Sequence, residues 1–137
     1  MLIGFPIEFL VKGTPVSLQA KRAEAKQEWK ARVKTASKAV IPDPHFASDE
    51  RIAVTLYFLP DGRMQGDIDN IVKPILDALS SHIYLDDAQV ERVLVQKFEP
   101  GNIFEFKNPS QTFAAALEEE KPVLYVRVSN DPHEDLS

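Results

Sequence analysis

The sequence predicts an α+β fold: a single domain with a mixed β-sheet and packed helices. Three observations lead there. Apolar residues alternate in some short runs and recur at helical spacing in others. The two kinds of run follow no regular βαβ rhythm, which argues against a doubly wound parallel sheet. The 137 residues contain no internal repeat, low-complexity tract or linker, a length suited to one domain with a core of its own.

In chain order, Ile3, Phe5, Ile7, Phe9 and Val11 alternate as on a half-buried strand, which Gly13-Thr14-Pro15 ends. A helix is expected over roughly 19–40, with Trp29, Val33, Ala36 and Val40 on one apolar stripe. Trp29 at that spacing reads as core rather than as a base-stacking platform. Ile41-Pro42-Asp43-Pro44 stops the helix. Ile52, Val54, Leu56 and Phe58 predict a second strand, and Pro60-Asp61-Gly62-Arg63 opens a polar loop. A helix over 70–81, a short extended piece at 83–85 and a strand from Val90 to Phe98 follow. Residues 100–112 read as irregular, Ser110 as the cap of a short helix through Glu119, and Pro122 to Val128 as a last strand. The domain is expected over 1–129, with 130–137 a flexible C-terminal tail.

Charge narrows the function. A net charge of -5 disfavours a general nucleic-acid binder, because phosphate contacts need Lys and Arg. The charge is segregated, however. Residues 12–38 hold eight Lys or Arg against Glu24 and Glu28, a local +6 that leaves -11 for the rest. Arg22, Lys26, Lys30, Lys34 and Lys38 recur every four residues beside the Trp29/Val33 stripe, with Lys21 ahead of them. Such a row reads either as a phosphate-contacting face or as a solvated helix face. The chain has no cysteine, which removes disulfides, thiolate chemistry and cysteine-ligated zinc. No run approaches the roughly 20 apolar residues of a membrane helix. The N-terminus lacks the basic start and cleavage site of a secretion signal, so a cytoplasmic location is the default expectation. His45, His82 and His133 share no ligand spacing. His82 reads as a loop residue or as a proton shuttle near the acidic centre.

That acidic centre is Gly66-Asp67-Ile68-Asp69-Asn70-Ile71-Val72-Lys73-Pro74-Ile75-Leu76-Asp77-Ala78-Leu79. At about 100° per residue from Asp69, Lys73 falls near ~40°, Asp77 near ~80° and Asn70 near ~100°. The apolar residues fill the opposite side. One face packs; the other presents carboxylates, an amide and an ammonium. Asp67 and Asp69, two apart in extended chain, point to one side, and such an oxygen-rich pair suits a hard cation such as Mg²⁺. Asp86-Asp87 would add a third carboxylate if the chain folds back along the helix, about 18 Å for 12 residues. The same residues also make a good helix start, an Asp69–Lys73 i,i+4 pair and a turn. Pro74 predicts a distorted first turn.

GDIDNIVKPILDAL followed by IYLDDAQVERV resembles the RusA-type Holliday junction resolvases. That family's pattern is Asp-x-Asp-Asn-x-x-Lys, then Leu-Asp-Ala-Leu, then an Asp-Asp pair opening a strand. The match covers residues 66–98, with weaker likeness back to residue 2 in Gly13-Thr14-Pro15-Val16-Ser17 and Lys21-Arg22. The resemblance implies a RusA-like domain and Mg²⁺-dependent cleavage of four-way DNA junctions by a homodimer, with Mn²⁺ an alternative metal. It assigns metal-binding, catalytic roles to Asp67, Asp69 and Asp87, a catalytic role to Lys73 and supporting roles to Asn70 and Asp86. Lys21, Arg22, Lys26, Lys30, Lys34 and Lys38 become the DNA-binding set. The loop SSHIYL lacks the glycine that some relatives carry there.

Two other readings compete. Asp-x-Asp also holds Mn²⁺ under nucleotide-sugar diphosphates, but that chemistry expects a larger nucleotide-binding domain. A non-catalytic branched-DNA-binding or interaction module of the same fold would suit the acidic net charge, while the retained carboxylates and lysine oppose it.

Overall fold

β1 (Ile7–Lys12) buries Ile7, Phe9 and Val11 on one face, the alternation its sequence carries. Gly13 ends it at φ +117°, a conformation that L side chains rarely adopt, and leaves room for the Arg32 guanidinium. The structure is a computed structural model describing residues 2–18, 20–102 and 105–134. α1 (Ala23–Lys38) is shorter than the expected helix over 19–40, and Gln19 lies outside the described residues. Trp29 and Val33 are core, as their spacing predicts. Val40 is exposed beyond the helix end, and Ser37 takes the last buried position instead.

β2 (Ile52–Leu59) is the strand that Ile52, Val54, Leu56 and Phe58 predict, and every residue in it except Tyr57 is buried. It lies inside a four-stranded sheet of order β1-β4-β2-β3, and both its faces are covered. β4 (Val123–Ser129) is antiparallel to β1 and β2, whereas β3 (Val90–Lys97) runs parallel to β2 at the edge. The sheet is mixed and the domain α+β, as the sequence predicts. On one face Ile7, Phe9, Val54, Leu56, Val126 and Val128 join Trp29, Val33, Ile75 and Leu79. On the other, α3 (Gln111–Glu118) packs Phe113 and Ala116 against Val123, Tyr125 and Phe98. Ser110 caps α3 by accepting the Phe113 N–H at 3.1 Å, as expected. No helix among the described residues is long and apolar enough to cross a membrane.

A parallel pair needs a long crossover. Residues 60–89, joining β2 to β3, hold the acidic centre. The expected helix over 70–81 is split: a 3₁₀ turn (Ile68–Ile71) leads into α2 (Val72–Leu79). Pro74 sits in the first turn of α2, where the missing N–H has no intrahelical partner to lose. The extended piece at 83–85 is a bridge of Tyr84 to Ser48 and Ser80.

Residues 130–134 follow β4 and lie against the sheet. Arg127 holds the Glu134 carboxylate through Nε and Nη2, at 3.2 and 2.9 Å, and Ser129 Oγ donates to it at 3.1 Å. Arg92 donates to the carbonyls of Pro132 and Glu134. The sheet supplies the counter-charge that retains residues 130–134. Residues 135–137 lie outside the described residues.

Candidate active site

α2 splits cleanly into two faces. Pro74, Ile75, Ala78 and Leu79 are buried, while Lys73 and Asp77 face outward one turn apart. Lys73 Nζ lies 2.8 Å from Asp77 Oδ1 and 2.6 Å from Asp87 Oδ2. The chain after α2 therefore does fold back along the helix, as a third carboxylate requires. These two carboxylates, through their hydrogen bonds, hold the Lys73 pKa above the ordinary lysine value. The residue stays an ammonium at any physiological pH.

Tyr84 anchors the other side of Asp87. Its fully buried side chain lies under α2, with its hydroxyl 3.1 Å from both the Leu76 carbonyl and Asp87 Oδ1. Burial, then the Asp87 charge, push the phenol well above its usual value, so it acts as a neutral donor. Asp86 faces solvent and closes a capping box with Gln89. Gln89 Oε1 accepts from the Leu85 and Asp86 N–H groups at 2.8 and 2.9 Å. Its Nε2 donates to the carbonyls of Ser48 and Glu50. One side chain thus ties the Asp86-Asp87 loop to the segment before β2. The loop lacks a glycine, and Ser81 adopts the left-handed conformation itself, at φ 63°.

Asp67 and Asp69 are both exposed, at the start of and inside the 3₁₀ turn. Asp67 occupies the cap position without making a side-chain cap bond, so capping does not account for it. Among the described residues neither forms an ion pair. The expected Asp69–Lys73 pair is absent because a 3₁₀ turn advances about 120° per residue, which takes Asp69 out of phase with α2. Lys73 pairs with Asp77 and Asp87 instead. Asn70 is half-buried, and its carbonyl accepts from the Leu18 N–H at 2.7 Å, fixing the turn to the segment before α1.

Of the basic row, the structure brings Lys30 to the site: its Nζ lies 3.6 Å from Asp77 Oδ2. Lys21, Arg22, Lys34 and Lys38 are exposed and Lys26 is half-buried. Arg22 pairs with Glu24 at 3.8 Å. His82 is buried rather than facing the acidic centre. Its Nε2 lies 2.7 Å from Ser37 Oγ, and His45 Nε2 donates to its carbonyl at 2.8 Å. Burial, then the Lys34 charge, lower its pKa to about 4, so it is a neutral packing residue and not a proton shuttle.

Asp77, Tyr84 and Gln89 were not among the sequence-derived site residues. Asp77 follows Lys73 at helical spacing, and Asp86-x-x-Gln89 is a capping-box pattern. Tyr84 carries no sequence signal that separates it from an ordinary core aromatic.

The donor set suits a hard divalent cation: exposed carboxylates at Asp67 and Asp69, a third at Asp87, and neither sulfur nor imidazole among them. Among the described residues, no three acidic or histidine side chains stand together as a ready-made cage, and both Asp87 oxygens are engaged.

A family model described as endodeoxyribonuclease RusA matches residues 14–104. That stretch begins just after β1, ends beyond β3 and contains every residue of the site. Compared with curated proteins, the chain matches none.

Proposed function

The chain belongs to the endodeoxyribonuclease RusA family, and from that premise we propose that it is a divalent-metal-dependent endonuclease that resolves four-way DNA junctions. The observation that carries the proposal is the Lys73 ammonium held at 2.6 and 2.8 Å between Asp87 and Asp77, with Asp67 and Asp69 exposed in the 3₁₀ turn that leads into the same helix. Asp67, Asp69 and Asp87 would hold Mg²⁺ or Mn²⁺. The ion would offset phosphate charge and acidify a bound water.

The protein's own residues do the rest. Lys73, permanently cationic, stabilises the negative charge that develops on the phosphate or the leaving oxygen. Tyr84 and Gln89 fix the loop that carries Asp87, so that its carboxylate is held in a set position for the cation. Lys21, Arg22, Lys26, Lys34 and Lys38 on and before α1 contact the DNA backbone, which gives orientation without sequence readout. Resolution needs two matched cuts, and a two-fold homodimer would present two identical sites to a near-symmetric junction.

Substituting Asp69→Asn tests this reading. Cleavage of a labelled four-way junction should fall at least a hundredfold, while binding stays equal or tightens as phosphate repulsion drops. Undiminished cleavage would refute the site. Binding by the native protein without cutting, in Mg²⁺ or Mn²⁺, would favour a non-catalytic junction-binding module.

A further inference from the structure

Lys30, Asp77, Lys73 and Asp87 form a continuous ladder of alternating charge from α1 across α2 to the acidic loop, closed by the neutral Tyr84 hydroxyl. The steps are 3.6 Å from Lys30 to Asp77, 2.8 Å from Asp77 to Lys73, and 2.6 Å from Lys73 to Asp87. Each Asp77 oxygen faces a different ammonium, and each Asp87 oxygen faces a different donor. Each Asp87 oxygen keeps a second lone pair, but a cation that takes it arrives beside a donor already in place. The partner in competition with a cation is Lys73, because two positive charges cannot share the carboxylate without repulsion.

We propose that Asp77 is a positioning residue that keeps the Lys73 ammonium at the site while Asp87 is released to a divalent cation. The inference rests on the metal-dependent reading above. Asp77 is suited to the task by its place. It stands on a helix whose other face is anchored in the core, and its side chain is only 33% exposed. Lys30, itself 28% exposed, faces its second oxygen and limits its freedom to turn away. Lys30 thus serves the site more directly than it serves the phosphate-binding row. If Asp77 is neutralised, Lys73 has one carboxylate left. It then occupies Asp87 fully and competes with the metal.

The alternative is an ordinary exposed i,i+4 pair, worth a few tenths of a kcal/mol in helix stability. Such a pair would leave metal binding and chemistry alone. The two ideas separate in a double-mutant cycle of Asp77→Asn and Lys73→Met. Mn²⁺ binding to the free protein is measured by calorimetry, and junction cleavage under single-turnover conditions with saturating protein.

The proposal predicts about ten- to a hundredfold weaker Mn²⁺ binding in Asp77→Asn, a loss typical of groups that orient metal ligands. The cleavage rate should fall by a similar factor with junction affinity unchanged. In the double variant, Mn²⁺ binding should return to the Lys73→Met value, because the competitor is gone. Asp77→Glu, which keeps the charge, should recover part of both losses. Mn²⁺ binding in Asp77→Asn within twofold of the native protein would overturn the proposal. So would losses that multiply in the double variant, or no Mn²⁺ binding by any of the four proteins. If the native protein cuts no junction yet the calorimetric cycle is coupled, the nuclease reading fails and the role of Asp77 stands. If the native protein cuts and the cycle is uncoupled, the role of Asp77 alone fails.

Discussion

Replacing Lys73 with methionine removes one charge and keeps most of the side chain's bulk. In the native protein this ammonium closes two ion pairs, at 2.8 Å to Asp77 and 2.6 Å to Asp87. Its side chain is half exposed, so solvent screens both. Pairs of this kind contribute about 0.5 kcal/mol each, and the two together about 1 kcal/mol. For a chain of this length, that corresponds to a melting shift of about 3 °C. Catalysis should respond on another scale. Losing a preorganised charge at a developing oxyanion costs on the order of 10²- to 10³-fold in rate, about 3–4 kcal/mol. Lys73→Met should therefore stay folded, keep near-native junction affinity and lose cleavage by at least about a hundredfold. Urea unfolding and single-turnover cleavage measured side by side give the comparison. Cleavage within a few-fold of native, in a protein destabilised by several kcal/mol, would make Lys73 a structural residue and refute the reasoning.

Three further outcomes follow from the site and its surroundings. Ser81 holds φ 63°, a conformation that glycine adopts at no steric cost, so Ser81→Gly should stabilise by about 0.5–1 kcal/mol, read as a raised urea midpoint at constant m. His82 is held near pKa 4 in the folded state by burial, then by the Lys34 charge, whereas the unfolded chain takes up that proton near pH 6.5. Its contribution is complete above about pH 6.5 and is lost as pH falls towards 4, by up to about 3 kcal/mol. Urea unfolding across that range should show the slope, and His82→Gln should lack it. Asp69→Asn, as argued above, should separate cutting from binding.

Much of this arrangement is legible in the residues themselves. The wheel from Lys73 to Leu79 gives the two faces of α2 correctly, because a rigid helix converts spacing into geometry. Pro74 announces a distorted first turn, and Ser110 announces the cap of α3. Where the sequence misleads, the cause is contact between distant segments. The alternation in β2 places the strand but cannot reveal that α3 covers its second face. Asp69 drops out of phase with Lys73 because a 3₁₀ turn and an α-helix share no period. The net charge of -5 argues against DNA until α1 is separated from the rest of the chain. Asp77 reads only as one more group on the polar face of α2 until Asp87 and Lys30 arrive from other elements.

The central claim is metal-dependent, structure-selective cutting of DNA, and it is tested most directly on the unmodified protein. A labelled four-way junction and a sequence-matched duplex are incubated with Mg²⁺ or with chelator. The account predicts paired nicks in the junction alone, and only with the metal present. Equal cutting with chelator, or no cutting of any junction with Mg²⁺ or Mn²⁺, would contradict it.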